Sequence, residues 1–188
     1  YFPQVWVSDM TDAPARARIQ YGASLCYPLS SMSCHVTTSP NSRAQHFVTM
    51  QARADIAQLG ATGYEFDTTK LSAEDLAQIR HQVNKYHLDE SLVLEGDLYR
   101  LAAPVEGSNL FAVMLVSKDK KTAKLTAMRF AEAEEVPCLY PRGLAEDALY
   151  EVPVLCETKM GKDWMRQGIC PEFAPGDYQT LTYHFVAI

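Results

Sequence analysis

A carboxylate near the start of the chain stands where a strand feeds a helix, a place that suits a catalytic group. The run Val5-Trp6-Val7 is short and apolar and ends at Ser8-Asp9. Helix-start signals follow at once. Thr11 or Asp12 can serve as N-cap, and Pro14 falls in the first turn, where its missing N–H costs nothing. Enzymes of the α/β class keep catalytic groups at the C-terminal ends of such strands, so Asp9 is a candidate catalytic residue. Taken alone, a strand-end aspartate is more often a turn carboxylate. Trp6 and His35 are candidate substrate contacts, against the plainer readings of a core tryptophan and a satisfied structural histidine. Asp12 reads as a helix cap rather than a site residue.

The remaining reactive types point nowhere in particular. Cys26, Cys34, Cys138, Cys156 and Cys170 are scattered without a CxxC pair, so no zinc site is expected. An odd, dispersed set reads as reduced thiols, and with no N-x-S/T sequon present it favours a cytoplasmic location. Cys34 reads as a small buried hydrophobe. His81 and His87 are spaced i, i+6, which suits no metal, and Glu132, Glu134 and Glu135 read as a solvated loop. No metal is expected.

Composition narrows the class. At 188 residues, 47% hydrophobic and 21% charged, the chain has an ordinary globular make-up, sized for one domain or two small ones. A net charge of −6 without a basic stripe argues against nucleic acid. No apolar run approaches the roughly 20 residues of a membrane span.

The elements that must position Asp9 follow in order. A helix is expected over residues 13–21 with Gly22 as C-cap, a β-type run over 32–37, and a helix over 45–59 ended by Gly60 and Gly63. Strand, helix, strand, helix with short connections is the pattern of parallel β/α units. A third helix opens at Ser72 with Asp75 as a capping box and carries Leu76, Ile79, Val83 and Tyr86 to about His87. Leu92-Val93-Leu94 reads as the start of a strand. From Glu95 the texture changes to short strands over 98–101, 110–117, 124–130, 148–154 and 179–186, with a hairpin turn at 118–121. The boundary is placed near residue 95. Two β/α units cannot make a stable sheet alone, so residues 1–94 are expected to be the end of a larger sheet, and the chain the tail of a larger enzyme.

At this point the residues carry a likeness. YFPQVWVSDMTDAPARARIQYGASLCYPLSSMSCHV resembles the C-terminal part of the catalytic barrel of glycoside hydrolase family 36, the retaining α-galactosidases, whose pattern runs approximately MPQ-x-W-[TS]-SD-[ND]-TDA, then QYGTS-x-x-YP and MG-x-HVS. PNSRAQH stands at a PNHQTGR-like loop, GATGYEFDTTKLSAED looks like GTFGYELDLTKLSEEE, GDLYRL matches GDFYRL, and GDYQTLTYHF is similar to the family's tail. Met10, Ser33-Cys34 and Ser42 depart from the pattern, which touches loop geometry and substrate preference but leaves Asp9 in place.

The resemblance implies a fold that is α/β plus all-β. Residues 1–94 would supply the last two β/α units of a (β/α)8 (TIM) barrel, with residues 1–9 and 32–37 as its seventh and eighth strands. Residues 95–188 would form a C-terminal antiparallel β-sandwich domain. It implies hydrolysis of terminal non-reducing α-galactosyl groups, as in melibiose and raffinose-type oligosaccharides, with Asp9 as acid/base. The nucleophile would be an aspartate on an earlier strand, so the chain by itself is expected to be inactive. The full-length parent is expected to be a homo-tetramer without cofactor. An α-N-acetylgalactosaminidase, a raffinose-synthase-type transferase and a non-catalytic carbohydrate-binding fragment are the alternatives.

Overall fold

The computed structural model describes residues 3–188; the expectation of a strand over residues 1–9 therefore reaches two residues outside it. The chain divides into two compact units, residues 1–94 and 95–188.

The first unit is built on three parallel segments rather than two. Val5 pairs with Met32 in a single parallel bridge, so the opening strand is reduced to one rung, with Val5 N donating to Ser31 O and Ser33 N donating to Val5 O. β1 (Ser33–Thr37) then pairs in parallel with β2 (Ala61–Glu65), from Ser33 opposite Ala61 to Thr37 opposite Glu65. β2 is the element the sequence hid. Gly60 before the segment ATGYE and Gly63 within it read as the helix terminus, and the segment has neither a β-branched run nor an alternating pattern. The count of two β/α units is thereby corrected to three parallel strand segments.

The helices are set by local caps. Asp12 caps α1 (Ala13–Ala23), accepting from Ala15 N, and Gly22 lies inside the helix, which Ser24 ends. α2 (Met50–Ala57) is shorter than expected because Thr49 caps it, its hydroxyl accepting from Ala52 N. Ser72 and Asp75 exchange bonds as the capping box requires, Asp75 N to Ser72 Oγ and Ser72 N to Asp75 Oδ2. α3 (Ala73–Glu95) then runs straight through Leu92-Val93-Leu94, so no strand starts there. Leu92 and Val93 are buried on the helix. Gln82, also buried, donates to Met50 O at 3.4 Å and accepts from Tyr64 Oη at 2.9 Å, fastening α3 to α2 and β2.

The second unit is one antiparallel sheet of six strands, ordered β3-β4-β5-β8-β6-β7. Its strands are β3 (Asp97–Ala102), β4 (Leu110–Val116), β5 (Thr122–Arg129), β6 (Leu149–Val152), β7 (Glu157–Met160) and β8 (Gln179–Ala187). β7 and the short helix α4 (Gly161–Gln167) were not anticipated. All six strands hydrogen-bond into a single sheet. Leu110, Ala112, Met114, Leu125, Ala127, Tyr183 and Phe185 share a core with Tyr150, Val152, Trp164, Leu139, Leu144 and Ile169. Trp164 Nε1 donates to Tyr150 O at 3.1 Å, and its ring meets Phe185 edge-on at 5.6 Å. The expected hairpin at 118–121 is present, with Lys120 taking the positive φ of 58° that such a turn needs.

The cysteine expectation is partly overturned. Cys138 and Cys170 form a disulfide beside the antiparallel bridge of Leu139 and Ile169. Chain folding brings together thiols 32 residues apart in sequence, which spacing does not announce. Cys26, Cys34 and Cys156 are free, so the argument from dispersed thiols to a reducing compartment loses two of its five members. Among the described residues no helix is long and apolar enough to cross a membrane.

Candidate active site

Parallel strands end on one side, and three of the polar residues of interest follow such ends. Asp9 follows the Val5 rung, Thr37 ends β1 and Glu65 ends β2. All three line one cleft of about 320 Å³, together with Trp6, Thr11, Asn41, Ser42 and Arg43. A larger cavity of about 510 Å³ lies among Gln4, Ser33, Tyr64, Tyr86 and Glu90, but Asp9 does not reach it.

Asp9 is exposed, and one of its oxygens is taken. Trp6 Nε1 donates to Oδ1 at 2.9 Å. Within these 188 residues Trp6 has 50% of its surface exposed. Its ring meets His35 edge-on, centroid to centroid 4.4 Å at 61°. His35 Nδ1 lies 3.3 Å from Glu65 Oε2, so the Nδ1–H tautomer donates to that carboxylate. The structure thus places Trp6 beside Asp9, and His35 against Trp6.

The backbone beneath is fixed by a buried guanidinium. Arg16 on α1 donates from Nη1 to Ser8 O at 3.2 Å and from Nη2 to Ser33 O at 2.8 Å, with Nε reaching Gln20 Oε1 at 3.2 Å. Gln20 in turn donates to Ile56 O on α2. A five-donor planar fork suits this clamp, since one side chain satisfies carbonyls on two neighbouring strands. Arg16 Nη2 also lies 3.4 Å from Cys34 Sγ. Burial outweighs that cation and pushes the Cys34 thiol upward, so it remains a neutral packing group.

The cleft's outer wall is tied down in the same way. Asp12 is the expected N-cap, and its Oδ1 also lies 2.9 Å from His46 Nε2, which anchors the loop carrying Asn41, Ser42 and Arg43. Asn41 Oδ1 accepts from Arg43 N and Ala44 N, closing an Asx turn. Thr37 Oγ1 donates to Thr11 Oγ1 at 2.9 Å, and the Arg53 guanidinium bonds Thr37 O and Val48 O. Among the described residues no group of three or more His, Cys, Asp or Glu is placed to hold a metal.

Comparison with known proteins places this geometry. The melibiase family model matches residues 1–96, just over half of the 188, and the glycosyl hydrolase family 36 C-terminal domain model matches residues 110–185. The chain belongs to glycoside hydrolase family 36. Within the family, α-galactosidase Mel36A of Lactobacillus acidophilus is 37% identical over 190 residues, and the match covers 100% of this chain and 26% of that protein. The crystal structure of α-galactosidase AgaB from Geobacillus stearothermophilus superposes with a TM-score of 0.94 at 37% identity, again over 100% of this chain and 26% of the other. A variant of AgaA from the same organism, solved in complex with raffinose, gives 0.94 at 35% identity. The chain therefore spans about a quarter of the length of the relatives it matches.

Arg16, Glu65, Thr37 and His46 escaped sequence reasoning. Glu65 was within reach: had ATGYE been read as a strand, a carboxylate at its C-terminal end would have had the same standing as Asp9. Arg16 and His46 carry no such signal, because their partners lie 17 and 34 residues away.

Proposed function

We propose that this chain carries the acid/base side of a retaining α-galactosidase site acting on terminal non-reducing α-galactosyl groups of raffinose-type oligosaccharides. The observation that supports it most is the state of Asp9. It stands beyond the end of a parallel strand in an open cleft, one oxygen engaged by an indole N–H and the other without a donor among the described residues. The three parallel segments are read as the last three strands of a (β/α)8 barrel, with the six-stranded sheet as the C-terminal domain.

Retaining glycosidases use two carboxyl groups about 5–5.5 Å apart. In the first step the nucleophilic carboxylate attacks the anomeric carbon while the C1–O bond breaks, and the leaving oxygen takes the proton of Asp9. In the second, ionised Asp9 takes a proton from the water that displaces the enzyme carboxylate, and two inversions give net retention. Glu65, the other carboxylate of the cleft, is engaged by His35. The nucleophile is assigned instead to an aspartate outside these 188 residues. Tetrameric assembly belongs to the same proposal.

The test is product analysis on the protein as its gene encodes it. Incubation with raffinose is expected to release galactose first as the α-anomer, followed by NMR before mutarotation, with α-N-acetylgalactosaminides left intact. Release of the β-anomer, or cleavage of the N-acetyl substrate alone, would contradict the reading. A dominant galactosyl-transfer product would favour the transferase.

A further inference from the structure

The residues around Asp9 form a series that crosses all three parallel segments. Glu65 at the end of β2 holds His35 on β1, His35 meets the Trp6 ring edge-on, and Trp6 donates its indole N–H to Asp9 Oδ1. Among the described residues, His35 is the aromatic group that bears on the Trp6 ring, centroid to centroid 4.4 Å.

We propose that Trp6, braced by the His35–Glu65 pair, is the positioning residue that decides which oxygen of Asp9 carries the transferable proton. The proposal rests on the acid/base reading of Asp9. An indole nitrogen is a donor and never an acceptor, so the atom facing it must accept. In the neutral acid the carbonyl oxygen is the better acceptor, and Oδ1 takes that role. The proton is therefore on Oδ2. As the C1–O bond breaks, its electron pair stays on the leaving oxygen, which receives the Oδ2 proton while the nucleophilic carboxylate binds C1. The Trp6 bond then stabilises the carboxylate at Oδ1 and leaves Oδ2 as the base. Water attacking C1 returns its proton there. Leaving group and water approach the same face of the sugar in a retaining reaction, so one oxygen that both gives and takes suits both steps.

The experiment compares variants of the protein as its gene encodes it on two substrates, raffinose and 2,4-dinitrophenyl α-galactoside, whose leaving group needs no proton. Trp6→Phe keeps a ring against His35 and deletes the N–H. We expect kcat on raffinose to fall about 10- to 100-fold with KM nearly unchanged, while single-turnover cleavage of the dinitrophenyl substrate falls less than about threefold. Glu65→Gln, at an exposed position, should show the same selectivity in weaker form. Equal losses on both substrates, or a raised KM with kcat preserved, would overturn the proposal in favour of a sugar contact. Azide restoring activity to Glu65→Ala would make Glu65 the nucleophile and also overturn it. Asp9→Asn in the same assay separates the two levels. If Asp9→Asn loses raffinose turnover selectively and Trp6→Phe does not, the positioning role fails alone; if Asp9→Asn shows no selectivity, the acid/base reading fails with it.

Discussion

The Arg16 guanidinium donates to the carbonyl of Ser8 at 3.2 Å, one residue before Asp9. A helix side chain thereby sets where the candidate acid emerges from its strand. The second arm of the fork holds Ser33 O at 2.8 Å, so the Val5 segment and β1 are registered by one buried cation as well as by their single bridge.

Replacing Arg16 with Met should therefore leave two carbonyls without donors. The expected cost is about 2–4 kcal/mol in urea or thermal unfolding, with loss of activity beyond what the stability change explains. Arg16→Lys should recover only part of it, because one ammonium cannot reproduce a planar fork. Unchanged stability in Arg16→Met would remove the clamp from the account.

Gly60 is required by shape. A Cβ there would meet Cys34 Sγ at 2.6 Å and the Met32 carbonyl oxygen at 2.8 Å, where β1 and β2 begin. Gly60→Ala should cost about 1–3 kcal/mol by overpacking. Adding Cys34→Ala should return only part, since the backbone oxygen cannot retreat as a side chain can.

Alkaline stability follows from Tyr64. Burial raises its phenol from near 10 to about 12, so the folded state disfavours the phenolate that the unfolded chain forms first. Its contribution is fully present below pH 10 and is lost as pH rises toward 12. Tyr64→Phe should flatten the fall of unfolding free energy over that window. Some slope should remain, because burial also pushes Tyr86 and Tyr183 upward.

Local chemistry was legible in the sequence and long-range pairing was not. The Asp12 cap, the Ser72–Asp75 box and the Lys120 turn are decided within four residues, and each stands where its residue types place it. The strand-end position made Asp9 a candidate, and the likeness to family 36 supplied the expected architecture and its acid/base role, which periodicity alone could not. β2 was lost because a five-residue strand with an internal glycine leaves no periodic trace. Leu92-Val93-Leu94 has strand-forming residues but continues α3, with Leu92 and Val93 buried along it: tertiary burial overrode propensity. The Arg16 clamp and the disulfide depend on neighbours that only the fold supplies.

The central claim is that Asp9 is the acid/base. The most direct test is the ratio of kcat/KM for raffinose and for 2,4-dinitrophenyl α-galactoside in Asp9→Asn, measured on the protein as its gene encodes it. The account predicts a loss of about 10²- to 10⁴-fold on raffinose, with formation of the glycosyl-enzyme from the activated substrate nearly spared. Parallel losses on both substrates, or raffinose turnover at the unsubstituted rate, would contradict it.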